Sequence, residues 1–244
     1  PRPDTQPHGW TGPLGPAIAS RSWPRSPSGL PMRHAITLWL PQEYLVHGPE
    51  YAGIAVFQGD SERDTETSTG DPASEDPFLA DLAAHRPHPM ATLQLSSFAA
   101  RHFASVWLRA DELLPGPTPP PADLRRPGEH RTHGPNAWDD PLPMRRVWLL
   151  PRPDDPNVGI AIDDRAAGYI DPVDEATGDD DPWFQPWRTR DHLGGTFAGL
   201  DWTPRVGPHY LQLDANCGLV TGTNYARRGY WALDLTNGHI EWFA

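Results

Sequence analysis

Tyr210-Leu-Gln-Leu-Asp214 and Tyr230-Trp-Ala-Leu-Asp234 repeat one pattern, in which an aromatic residue is followed three positions later by Leu-Asp. An earlier copy is Phe197-Ala-Gly-Leu-Asp201, and the last two copies also share a glycine four residues after the Asp, at Gly218 and Gly238. Side chains of a strand point alternately to its two faces, and Asp initiates turns by accepting backbone hydrogen bonds. The pattern therefore reads as short strands, each closed by an Asp turn, and predicts a C-terminal antiparallel β-meander. The expected fold class is α+β, with a mostly antiparallel sheet and one or two short helices.

The end of the chain sharpens this reading. Asn237-Gly238 is the preferred pair for a two-residue type I′ hairpin turn. Such a turn predicts Leu235 opposite Ile240 and Leu233 opposite Trp242, all on one apolar face. It also sets Asp234 against Glu241, a like-charge pair that costs stability.

Working outward, residues 1–31 are rich in Pro, Gly and Ser and read as an extended arm, with Met32 as a candidate initiator. Residues 32–244 read as a single α+β domain with a Pro-rich break near 115–143. Its first strand alternates Ile36, Leu38 and Leu40, and a second runs from Tyr51 to Phe57. Asp76-Pro77 forms an N-cap and first-turn pair for a short helix ending before Pro87. Thr92 to Leu95 reads as a strand. The helical spacing of Ala99, Phe103, Val106, Ala110 and Leu113 predicts a helix from about Phe98, although Val106-Trp-Leu-Arg109 also suits a strand. Arg146 to Leu150 and Val158 to Ile162 are expected to form a hairpin.

Composition limits the function classes. Only 37% of the 244 residues are apolar, and 31 are proline, so the 11 tryptophans must carry much of the core. The net charge is −12 and every one of the 20 basic residues is Arg. That balance argues against nucleic acid, whose phosphates need a basic footprint, and suits a basic protein partner. Cys217 alone excludes an internal disulfide framework. No apolar run approaches the length of a membrane helix and no leader pattern is seen, so cytoplasmic residence is the expectation.

Searches for chemistry return little. His85 and His88 flank Arg-Pro, and Glu129, His130 and His133 share a loop, but neither set has zinc-site spacing. The acidic run Asp171–Asp181 lacks the alternation of a calcium loop. No Gly-x-Ser-x-Gly, Walker or His-Glu-x-x-His motif occurs. His34-Ala-Ile-Thr37 and His88-Pro-Met-Ala-Thr92 approach the His-x-Thr pairs of 2H phosphoesterases with the wrong spacing. Asp201, Asp214 and Asp234 read as turn residues in preference to an acid–base cluster. No catalytic residue, metal ligand or cofactor is expected.

Gly194-Gly-Thr-Phe-Ala-Gly-Leu-Asp-Trp-Thr-Pro204 and Tyr230-Trp-Ala-Leu-Asp-Leu-Thr-Asn-Gly-His-Ile-Glu-Trp242 resemble strand motifs of the SUKH immunity superfamily. His192-Leu-Gly-Gly195 with Tyr210-Leu-Gln-Leu-Asp214 is similar to the YwqG-like family. Both resemblances cover only the C-terminal part of the chain. The first implies an intracellular α+β protein that neutralises a toxin by binding it, with no catalytic residues to carry over.

The resulting expectation is a non-enzymatic, immunity-like binding protein that neutralises a basic toxin or effector by direct binding. Its predicted contacts are Asp179, Asp180 and Asp181 for steering, with Trp183 and Trp187 as aromatic anchors. The alternatives are a small hydrolytic enzyme with an unassigned site, or an assembly subunit that uses its N-terminal arm.

Overall fold

A computed structural model of the chain describes residues 6–61, 67–96, 101–122, 124, 143–152, 154–162, 164–172, 182–185, 191–197, 206–214 and 230–243. Contacts divide the chain into two compact units, Pro1–Trp148 and Leu149–Ala244. Each carries an antiparallel sheet, so the α+β, mostly sheet reading holds.

The first unit contains β1 (Gly9–Thr11), β2 (Arg33–Trp39), β3 (Gly53–Ser61), β4 (Ala91–Ser96), β5 (Arg101–Leu108) and β6 (Arg145–Val147). They form one six-stranded sheet in the order β4-β5-β3-β2-β1-β6. All of β2 is buried, which follows from its central place and from cover on both faces. The core gathers Trp10, Trp23, Met32, Trp39, Phe57, Val106 and Leu113. Helix α1 (Pro77–Ala84) begins as the sequence predicts, with the Asp76 carboxylate accepting the Phe78 N–H at 2.9 Å.

Residues 6–31, the described part of the expected Pro-rich arm, are packed into the first unit. Gly9–Thr11 pairs with β2 on one side and β6 on the other. Trp23 is buried edge-to-face on Phe57, and its indole N–H donates to the Met32 carbonyl at 2.8 Å. The composition of this stretch concealed its packing, because a few large aromatics among prolines show no periodicity.

Two expectations are corrected. The helix from about Phe98 is absent among the described residues: 101–108 are strand β5, and only Ala110–Leu113 turn helically, as α2. β5 is buried on both faces between β3 and β4, so its apolar residues do not alternate and the helical spacing was fortuitous. The expected hairpin of 146–150 with 158–162 does not form either. β6 pairs with β1, while 154–160 runs through turns.

The second unit holds β7 (His192–Leu193), β8 (Tyr210–Asp214), β9 (Tyr230–Asp234) and β10 (Ile240–Phe243), in the order β10-β9-β8-β7. Two copies of the repeat pair with each other along their full length, Tyr210 opposite Asp234 and Asp214 opposite Tyr230. The predicted meander is therefore present. Its earlier copy lies outside the described residues from 198 to 201, and Phe197 is not in a strand.

The closing hairpin differs from a two-residue turn. Ile240 faces Leu233 and Trp242 faces Trp231, a slip of two residues from the predicted register. A slip by an even number keeps every side chain on its face. The loop is wider because Asp234 organises it: its carboxylate accepts the Thr236 N–H at 2.7 Å and the Asn237 side-chain amide at 3.2 Å. Its carbonyl also accepts the Gly238 N–H at 2.8 Å, with Gly238 at φ 76°. Glu241 then stands opposite Ala232, and the like-charge pair is avoided.

Candidate functional site

Of the predicted contact residues, Asp179, Asp180, Asp181 and Trp187 lie outside the described residues. Trp183 is half-buried, its ring 5.9 Å from that of the buried Phe184.

The described histidines that invite a catalytic reading are engaged by the fold. His34 is fully buried; its Nδ1–H donates to the Gly12 carbonyl at 2.6 Å, and its Nε2 accepts from the Thr37 hydroxyl at 2.7 Å. Burial pushes its pKa down to about 4, against the hydrogen bonds to Gly12 and Ile36, so the ring stays neutral. The His34–Thr37 spacing is thus a packing device. Among the described residues no group of His, Cys, Asp or Glu is assembled to hold a metal ion.

One cavity in the first unit does collect polar side chains. It has a volume of about 290 Å³, and Ser22, Tyr51, His88, Arg109, Asp111 and Glu112 are among its lining residues. Chain order explains the assembly. His88 lies just before β4, separated from it by Pro89 and Met90, and Arg109 directly follows β5, so the β4–β5 pairing draws the two segments together. The Trp107 N–H donates to the Met90 carbonyl at 3.2 Å and closes that end of the ladder.

Inside the cavity, Glu112 accepts the Arg109 backbone N–H at 2.8 Å and His88 Nε2–H at 3.0 Å. The Met90 N–H points at His88 Nδ1 from 3.2 Å, which selects the neutral Nε2–H tautomer. Burial raises the Glu112 carboxyl, but the hydrogen bonds from His88 and the Arg109 amide, with the Arg109 charge, outweigh it and hold the group below its ordinary value. Both ring nitrogens of His88 are therefore occupied. No lone pair is left for proton abstraction, and the arrangement suits recognition of charge better than general-base work.

The second notable feature is the contrast between the two edges of the six-stranded sheet. β6 is three residues long and carries Arg145 and Arg146, a charged and short edge that resists pairing. β4 is six residues long, Ala-Thr-Leu-Gln-Leu-Ser, with no charge and no proline. Leu93 and Leu95 are 52% and 44% exposed on one of its faces. The Met90–Trp107 bond sets the phase of the antiparallel ladder, which alternates inward- and outward-pointing backbone groups. The N–H and C=O groups of Leu93 and Leu95 consequently point away from β5, to an edge that no described strand covers, while the Ala91 N–H donates to the His88 carbonyl at 3.0 Å.

Sequence reading found this strand but not its position. That Leu93 and Leu95 are separated by one polar residue in an uncharged run was the available signal. Edge placement depends on pairings with β5 that no local pattern records.

Comparison with known proteins finds no family model, no curated protein and no solved structure that matches this chain. No described helix is long and apolar enough to cross a membrane.

Proposed function

We propose that this chain is a non-enzymatic binding protein, immunity-like in role, that takes a basic polypeptide partner as an added strand along β4. The carrying observation is an edge that no described strand covers: neutral, six residues long and bearing two exposed leucines, where the opposite edge is short and doubly Arg-substituted. Strand addition draws affinity from main-chain hydrogen bonds and specificity from alternate side chains. Leu93 and Leu95 supply the apolar contacts.

The net charge of −12 selects among occupants. Like charge opposes association of two copies, whereas a basic partner is steered toward the chain. The resemblance of residues 194–204 and 230–242 to SUKH motifs points in the same direction.

The test uses an alternating Val-Arg octapeptide and its Val-Glu counterpart, with hydrogen exchange read at single residues. The expected result is slowed exchange at the Leu93 and Leu95 amides with the Val-Arg peptide only. A Leu93→Lys/Leu95→Lys chain should lose that protection while keeping its melting point. Equal protection by both peptides, or none at β4, would overturn the proposal.

A further inference from the structure

The polar cavity lies at the Ala91 end of the open edge, because His88 and Arg109 flank the β4–β5 pair at the Met90–Trp107 bond. A strand added to β4 would carry its terminal side chains past the mouth of this cavity. Three properties then decide what the cavity can take.

The first is charge. Asp111 and Glu112 bring two carboxylates against the single guanidinium of Arg109, and His88 is held in its neutral tautomer. The surplus is negative. Arg109 is already committed in part, its Nε lying 3.5 Å from the Asp111 carboxylate.

The second is acceptor capacity. Each carboxylate oxygen can accept two hydrogen bonds. Glu112 Oε1 receives His88, and Oε2 receives the Arg109 amide. One acceptor position on each oxygen therefore remains, in a planar pair of the spacing that a guanidinium fork matches. The same two bonds fix the carboxylate in place, so little ordering is required when a ligand arrives.

The third is the lining. Tyr51 adds an aromatic side chain, a surface that attracts cations and repels anions.

We infer that this cavity receives the cationic head of a basic side chain, an arginine above all, presented by the strand that pairs with β4, with Glu112 as its principal acceptor. The inference rests on the edge-pairing reading and adds the residue type that the edge selects for.

The test titrates the full 244-residue chain with N-acetyl-arginine methylamide and, separately, with N-acetyl-citrulline methylamide, followed by backbone NMR. Citrulline keeps the shape and removes the charge. The arginine derivative should shift the His88, Asp111 and Glu112 amides saturably and bind about tenfold more tightly than citrulline, the difference expected of a charge-assisted hydrogen bond. Glu112→Gln should abolish the preference. Because Glu112 also caps α2, an exposed second variant is included: Asp111→Lys reverses the charge of the mouth and leaves both Glu112 hydrogen bonds in place. It should weaken arginine binding by about fivefold or more.

Equal affinity for the two derivatives, shifts elsewhere on the chain, or indifference to Asp111→Lys would overturn the inference. It also fails separately from the edge reading. Protection of β4 by Val-Arg and Val-citrulline peptides with equal affinity removes the role of the cavity and leaves the edge. Arginine discrimination at the cavity with no protection of β4 removes the edge, and with it the strand said to deliver the cation.

Discussion

Asp155 accepts both hydrogen bonds that Thr196 can donate, the backbone N–H at 3.0 Å and the hydroxyl at 2.8 Å, across 41 residues of chain. The same buried carboxylate takes the Asn157 N–H at 3.0 Å and lies 2.8 Å from the Arg152 guanidinium. Asn157 continues outward to the Ile170 backbone, donating at 2.7 Å and accepting at 2.7 Å. Among the described residues of 154–172 the only regular element is the short 3-10 turn Arg165–Ala167, and this network ties the segment to Thr196 while satisfying buried polar groups.

Removing its centre should therefore be costly. Asp155→Ala leaves the Thr196 donors and the Arg152 charge without their acceptor, and about 3 kcal/mol of stability should be lost. Gly195→Ala should be at least as damaging, since φ is +81° there and an added Cβ would lie 2.3 Å from Asp155 Oδ2. Chemical denaturation of both variants checks this; unchanged midpoints would show the network to be incidental.

The N-terminal stretch offers a test of packing against composition. Deleting residues 1–31 removes β1 from between β2 and β6 and takes out Trp23, which is 1% exposed. We expect loss of cooperative thermal unfolding. Trp23→Ala alone should cost about 4 kcal/mol, as for other buried tryptophans. A truncated chain that melts within a few degrees of the intact one would contradict this.

Acid should destabilise the first unit. The His34 imidazole has its pKa pulled from 6.5 to about 4 by burial, so between those values the unfolded chain binds the extra proton and the folded chain does not. Stability is thus complete above about pH 6.5 and falls as the pH drops toward 4, by on the order of 3 kcal/mol for such a shift. Glu112, also depressed, adds to the loss as pH falls through its folded value. Urea midpoints from pH 7 to pH 4.5 should decline, and His34→Gln should flatten the slope while lowering stability at pH 7.

The last loop separates two roles that the sequence assigned to Asn237-Gly238. Gly238→Ala forces a Cβ onto a residue at φ 76° and should cost about 1 kcal/mol. Asp234→Ala should cost about 1–2 kcal/mol, because its carboxylate caps the Thr236 N–H. Under a two-residue turn Asp234→Ala would instead relieve repulsion from Glu241. A stabilised Asp234→Ala chain would restore that register.

Local patterns determined the parts of this protein whose hydrogen bonds close within a few residues. The alternation in 210–214 and 230–234, the Asp76-Pro77 cap of α1 and the Asp234 turn were legible because consecutive residues supply both the propensity and the partner. What required the tertiary structure was every fact about neighbours distant in the chain. Trp10 sits between Thr37 and Arg146, β5 loses its apparent helix to pairing on both sides, and Leu93 and Leu95 become an open edge because nothing described pairs beyond them. The cavity at Glu112 has the same origin: His88 and Arg109 meet only when β4 joins β5. A strand's side-chain period is written in its own residues, but whether it lies at the centre or the edge of a sheet is decided by which other strands bury it.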